Sequence, residues 1–146
     1  MTIKMCDDKS LLITKYEQIY QGENNSGVLT FLIPETYADI VLGDCDLRLN
    51  YIDANAKYHS TPLTKGEEKC RDYLVYRLSI TTWLTAIAGV LTLSITFRDK
   101  LSKLILKSGS TQITIKPSVE ISDGPDAPNE TMQKLEALAQ RVDAIE

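Results

Sequence analysis

The sequence has little of the material from which catalytic and metal sites are usually built. It contains one histidine, His59, and three cysteines without a CxxC spacing, so neither a disulfide framework nor a zinc site is expected. Its seven glycines form no GxGxxG or GxxxxGK[ST] pattern, and no GxSxG occurs. A single histidine without an evident partner is typical of a surface or turn position. We therefore expect no catalytic residues, no metal, no cofactor and no enzymatic activity.

Basic residues are also too few and too scattered for a nucleic-acid partner. The 146 residues include 16 Lys and Arg against 20 Asp and Glu, which gives a net charge of −4. No cluster of Lys and Arg is large enough to bind a phosphate backbone. The N-terminal sequence MTIKMCDDKS lacks the apolar stretch of about 7–15 residues that a secretory signal needs. We expect a soluble protein that is made and folds in a reducing cytoplasm.

The longest weakly polar run, residues 81–97, is too short for a membrane span. A spanning helix needs roughly 20 apolar residues, and several threonines interrupt this run. From Gly89 onward the residues alternate, and one face would carry Leu91, Leu93, Ile95 and Phe97. This period of two predicts a half-buried strand, preceded by a short helical turn or wide loop at 83–88. We expect a sheet core here and no membrane insertion.

The same two-residue period recurs along the first 118 residues. It is clear in VLTFLI, DCDLRLNYI, DYLVYRLSI and TQITIK, and weaker in SLLITKY and LSKLILK. Turn signals are predicted between these segments at 22–27, 53–56, 64–68 and 107–110. About eight short strands without an amphipathic helix among them predict an all-β fold. The expected architecture is an antiparallel β-sandwich domain over residues 1–118.

The composition changes after this domain. Residues 119–128 are rich in Pro and Gly and predict a connector, and residues 129–146 consist of good helix formers. Apolar residues at heptad spacing predict a coiled-coil helix, the start of a stalk. The alternative is a helix that folds back on its own sandwich. In the oligomeric interpretation the contact residues, taken over two competing registers, are Met132, Leu135, Leu138, Ala139, Val142 and Ile145.

The order of these elements resembles a known group of proteins. VLTFLIPETYADIVLGDCDLRLNYI is followed by DYLVYRLSITTWLTAIAGVLTLSITF, then GSTQITIKPS, a Pro-rich connector and KLEALAQRVDAIE. This layout is similar to the N-terminal domain of phage upper baseplate or upper tail-fibre structural proteins, from phages of Gram-positive bacteria. The resemblance extends from about residue 29 to residue 146.

The resemblance implies a non-enzymatic virion protein of the phage tail, synthesised in the host cytoplasm. The β-domain would dock on other tail or baseplate proteins. The helix would form a homo-oligomer, most simply a trimer, that supports the receptor-binding parts used in host attachment. No catalytic residue is transferred by this resemblance.

A second hypothesis is a carbohydrate-binding or adhesin β-sandwich. In this interpretation the sugar contacts are Trp83, Tyr58 and Tyr73, whose rings offer flat stacking surfaces. Tyr51 and Tyr76 lie on the apolar faces of their predicted strands, so core packing is expected for these two. The hypothesis predicts that Trp83 is exposed to solvent.

Overall fold

Strands dominate the part of the chain that the computed structural model describes, which is residues 1–99 and 101–119. One α-helical turn, α1 (Thr82–Thr85), and one 3-10 turn (Leu42–Asp44) interrupt them. The strands are β1 Thr2–Met5, β2 Leu11–Lys15, β3 Ile19–Tyr20, β4 Val28–Pro34, β5 Thr36–Tyr37, β6 Ile40–Val41, β7 Asp46–Ile52, β8 Tyr58–Pro62, β9 Thr64–Cys70, β10 Tyr73–Ser79, β11 Gly89–Asp99, β12 Leu104–Lys107 and β13 Thr111–Lys116. The predicted connector and coiled-coil helix lie outside these residues, apart from Val119.

The strands form two main sheets. One has five strands in the order β2-β1-β4-β10-β9, and the other has the order β3-β13-β11-β7-β8 with β12 also paired to β11. A separate short hairpin joins β5 to β6. Both main sheets are mixed, because β1 pairs in parallel with β4 and β13 pairs in parallel with β3.

The prediction of an all-β fold is confirmed, but the purely antiparallel arrangement of about eight strands is wrong. The described residues contain thirteen strands. The N-terminal segment TIKM was not recognised as a strand, and it supplies one of the parallel pairs. Very short strands such as β3 show too few residues for a two-residue period to be visible in the sequence.

The turn predicted at 64–68 is also wrong, because this segment belongs to strand β9. Its sequence, TKGEEKC, is polar on both faces, and six of its seven residues are exposed. β9 lies at the edge of the five-stranded sheet, where charged residues prevent pairing with other chains. β9 is therefore a strand whose sequence shows no two-residue hydrophobic period.

The two sheets share one hydrophobic core. On β11 the predicted alternation is confirmed, since Leu91, Leu93, Ile95 and Phe97 are fully buried. Three of them, Leu93, Ile95 and Phe97, lie opposite β7 residues in the antiparallel ladder. Their partners, Tyr51, Leu49 and Leu47, are also buried. The five-stranded sheet adds Ile3, Met5, Leu29, Phe31, Ile33 and Tyr76. Burying each large apolar side chain stabilises the fold by about 1.5–3 kcal/mol.

The segment between β10 and β11 crosses from one sheet to the other. It contains α1, as the sequence predicted for the region before Gly89. Leu84 and Thr85 of this turn are buried, and the Thr85 hydroxyl donates a hydrogen bond to the Glu23 carbonyl over 2.8 Å. Within the described residues no helix has the length and apolar character required to cross a membrane.

Candidate functional site

The three aromatic residues proposed as sugar contacts lie on different parts of the surface. Tyr58 begins β8 in the six-stranded sheet and is 81% exposed, whereas Tyr73 begins β10 in the five-stranded sheet. The Lys4 ammonium lies 5.0 Å from the centroid of the Tyr73 ring. Trp83 lies in α1, between the sheets, and is 49% exposed. The structure therefore does not bring these three rings into one platform.

Trp83 instead belongs to an aromatic cluster with Tyr51 and His59. Tyr51 on β7 and His59 on β8 are directly opposite in the antiparallel pair, and their rings stack with centroids 4.7 Å apart. The Trp83 ring meets both edge-on, at 5.3 Å from Tyr51 and 5.4 Å from His59. The buried Tyr51 hydroxyl donates to the Trp83 carbonyl oxygen over 3.3 Å, which ties α1 to the six-stranded sheet.

The buried carboxylate of Asp53 completes this cluster. Its Oδ2 lies 2.8 Å from His59 Nε2, and its Oδ1 accepts the backbone N–H groups of Asn55 and Lys57. These hydrogen bonds, first the one from His59, hold the pKa of Asp53 below its usual value of 3.8. Because Asp53 is then ionised at neutral pH, its oxygens can only accept, and His59 donates to it through Nε2.

The β7–β8 turn brings Asp53 and His59 together. Asp53 and His59 flank the β7–β8 turn, and the Asp53 carboxylate closes the turn by accepting hydrogen bonds from its backbone. The arrangement can fix the imidazole ring against Tyr51 and leave one edge of the cluster, the Trp83 indole, in contact with solvent. Such a half-exposed indole can stack on an apolar ligand face.

Sequence reasoning did not identify the Asp53–His59 pair. The sequence predicts a surface or turn position for His59, whereas it lies in a strand and bonds to a buried carboxylate. The available signal was an aspartate at a strand end, followed after the turn residues 54–57 by the paired strand. Core positions predicted for Tyr51 and Tyr76 are confirmed, since both are 2% exposed.

Other groups that could bind ligands are dispersed. Among the described residues, no three His, Cys, Asp or Glu side chains come close enough to hold a metal ion. Cys6, Cys45 and Cys70 are free thiols, and burial raises the pKa of the Cys45 thiol. A cleft of about 380 Å³, lined by residues that include Glu17, Glu23 and Ile80, contains none of the residues named from the sequence as candidate contacts.

The predicted oligomerisation residues, Met132, Leu135, Leu138, Ala139, Val142 and Ile145, all lie outside the described part of the chain. The self-association assigned to them stays a prediction.

The described residues form a β-rich domain with two mixed main sheets, and the comparisons with known proteins add structural similarity alone. No known protein family matches the sequence, and no curated protein matches it. Among solved structures, the chain is similar to the "N-terminal domain of phage TP901-1 ORF48". The two are 9% identical, with a TM-score of 0.41 over 80% of this chain and 93% of that one. A likeness of this size supports no assignment of function.

Proposed function

We propose that this chain is a structural protein of a phage tail. Its β-domain would dock on neighbouring tail proteins, and its C-terminal segment would form an oligomer of several copies. The proposal rests first on the order of strands, connector and heptad-patterned segment in the sequence, which resembles upper baseplate and tail-fibre proteins. It requires no catalytic residue. The protein would be assembled into the virion after synthesis in the host cytoplasm.

The structural observation that carries the proposal is the place where the chain leaves the β-domain. Strand β13 ends at Lys116, next to the short edge strand β3, and Lys116 and Pro117 are exposed. Val119, the last described residue, is fully exposed. The chain therefore continues from the surface rather than from the core, which allows the following segment to contact other copies.

The heptad pattern identifies the residues through which the copies would associate. Leu135 and Val142 would occupy a positions, with Leu138 and Ile145 at d, and this set does not restrict the assembly to dimers. A trimer about one axis is the arrangement we propose, because this a/d set is compatible with three strands and each copy then makes the same contacts. An isolated helix of this length would be marginal, so helix formation and association should occur together.

The test is the solution mass of the 146-residue chain, measured by light scattering. We expect three times the chain mass of 16.3 kDa, and a monomer for a chain that ends at Gly124. In the full-length chain, Leu135→Asp and Val142→Asp should abolish the trimer, whereas Gln140→Asp, off the seam, should leave it intact. A full-length monomer would contradict the role of the helix, and so would a truncated chain that still associates.

A carbohydrate-binding module is the second candidate, and the half-exposed Trp83 indole favours it. Trp83 is the single tryptophan of the sequence, so its fluorescence reports directly on this surface. If sugars stack on Trp83, titration with cell-wall polysaccharide should shift its emission, and Trp83→Ala should weaken binding. An emission maximum that no polysaccharide changes would remove this candidate.

A further inference from the structure

The outer face of the six-stranded sheet carries an unusual distribution of charge. Residues that alternate with the buried ones point away from the core, and the strand pairing places them in rows across the sheet. One row contains Tyr58, Ile52, Thr92 and Gln112, and the next contains Ser60, Asn50 and Ser94. A third row contains Pro62, Arg48, Thr96 and Lys107, followed by Asp46, Arg98 and Ile105.

The charged side chains of this face lie at its two ends. Arg48, Arg98 and Lys107 lie in neighbouring rows at one end, and Lys116 on β13 lies toward the other. Asp46 is the single acidic residue at these strand positions. Together with the four basic residues it gives the face a net charge of +3, whereas the net charge of the whole chain is −4. Such a face attracts an acidic partner and speeds its association.

The centre of the face is neutral and its side chains are held in place. The Asn50 amide donates to the Thr96 hydroxyl over 2.6 Å, and Arg48 Nε donates to the Ser60 hydroxyl over 2.9 Å. Because these side chains are already ordered, binding a partner would cost less of their own conformational entropy. Asn50 and Ser60, in the row between the charged ends, are therefore held in place before a partner binds.

Two exposed tyrosines lie at opposite edges of the same face. Tyr58 on β8 is 81% exposed and Tyr20 on β3 is 44% exposed. The four strand spacings between β8 and β3 span roughly 19 Å, at about 4.8 Å each. Tyrosine and arginine are enriched in protein interfaces, whose centres are depleted of charge and whose rims are polar. The charge distribution on this face, with a neutral centre and basic ends, agrees with that pattern, while its two exposed tyrosines lie at the edges.

We propose that the outer face of the six-stranded sheet is the surface that docks on an acidic region of a partner protein. The inference rests on the proposed function and names the surface and the partner chemistry for it. A nucleic acid is a poorer match, because the cations lie at separate ends around a neutral centre and do not form a continuous basic track.

The test is a calorimetric titration of the full 146-residue chain with poly-L-glutamate, an acidic polypeptide probe. We expect binding that weakens at least tenfold between 50 and 200 mM salt, because screening shortens the reach of the cations to about 8 Å at physiological ionic strength. The variant Arg98→Gln/Lys107→Gln/Lys116→Gln should bind at least tenfold more weakly. Arg48 is kept because it orders Ser60.

The matched control removes three cations from the region of the five-stranded sheet, as Lys15→Gln/Lys65→Gln/Arg71→Gln. These residues lie on β2, on β9 and in the β9–β10 turn, so the net charge changes equally while the outer face is unchanged. The control should bind within twofold of the wild type. Equal weakening by both triple variants would overturn the proposal, since the binding would then follow net charge alone.

Three further outcomes separate this inference from a glycan partner and from the proposed self-association. If hyaluronate, an anionic polysaccharide, binds more tightly than poly-L-glutamate with the same dependence on the outer face, the partner is a glycan and the protein-docking inference is wrong. A trimer in light scattering with no binding of poly-L-glutamate would overturn the docking face alone. A full-length monomer with face-specific binding would overturn self-association and leave the docking face supported.

Discussion

Gly89 lies so close to Ala54 that a Cβ atom added at position 89 would stand 2.5 Å from the Ala54 Cβ. Gly89 begins β11 and has a φ of +129°, and Ala54 lies in the turn between β7 and β8. The turn that Asp53 closes is thus packed against the start of the central strand. A glycine is required here both for its backbone conformation and for the contact.

We predict that Gly89→Ala destabilises the fold by about 2–4 kcal/mol, from backbone strain of about 1–3 kcal/mol plus the steric overlap. Urea unfolding followed by circular dichroism measures the change in unfolding free energy. In the Gly89→Ala protein, the second substitution Ala54→Gly should restore the part of the unfolding free energy that is lost to the steric overlap. The loss caused by backbone strain at the positive φ should remain. Equal stabilities for Gly89→Ala and wild type would contradict the close packing of the turn on β11.

Two buried tyrosine hydroxyls provide a matched pair for a second prediction. The Tyr51 hydroxyl bonds to the Trp83 carbonyl, whereas the buried Tyr76 hydroxyl has no hydrogen-bond partner among the described residues. Burial raises the pKa of each hydroxyl to about 12. Tyr51→Phe should cost about 0.5–1.5 kcal/mol, the usual net value of a hydrogen bond.

Tyr76→Phe should leave the unfolding free energy unchanged or raise it, because it removes a hydroxyl whose desolvation costs about 1–3 kcal/mol when no bond offsets it. Both variants keep the ring and its packing, so the difference between them isolates the hydroxyl. The prediction would be wrong if Tyr76→Phe lost as much stability as Tyr51→Phe in the same urea series.

Strand β11 offers a test of the assigned faces. Leu93 is fully buried and Val90 is 46% exposed on the opposite face. Leu93→Ala should cost about 2–5 kcal/mol, since it removes core contacts and leaves a cavity, whereas Val90→Ala should cost less than about 1 kcal/mol. Chemical denaturation of both variants gives the comparison. Similar losses at the two positions would show that the alternation is misassigned.

The alternation of β11 is also the clearest case in which the sequence was sufficient to predict the structure. A half-buried central strand must place apolar residues at every second position, and Leu91 to Phe97 do so without exception. The same reasoning located β4, β7, β10 and β13. It could not locate β9, whose exposed edge position permits polar residues on both faces, or β3, which has only two residues.

The candidate site was harder to predict, because its residues come together only through strand register. Asp53 and His59 are six residues apart and meet because the β7–β8 turn folds back. Trp83 reaches them through α1, more than twenty residues further along the chain. The outer face likewise depends on which strands are neighbours, and β3-β13-β11-β7-β8 is not an order that period or composition reveals.

The ion pair between Glu68 on β9 and Arg77 on β10 predicts a specific pH dependence. The hydrogen bond from Arg77 lowers the pKa of Glu68 from 4.5 to about 2. Because the folded-state pKa is depressed, the stabilisation is fully present above pH 4.5 and is lost as the pH falls through 2. Glu68→Gln should therefore be less stable than wild type at pH 7, with a difference that shrinks between pH 4.5 and 2.

The measurement is urea unfolding of both proteins at pH 7, 4 and 2.5, with the neighbouring exposed Glu67→Gln as the control. Glu68 and Arg77 are both partly exposed, at 54% and 40%, so 0.5 M salt should reduce the difference at pH 7. A Glu68→Gln deficit that stays constant from pH 7 to 2.5 would contradict an ionic origin. It would assign the loss to packing, since side-chain packing does not depend on the protonation of Glu68.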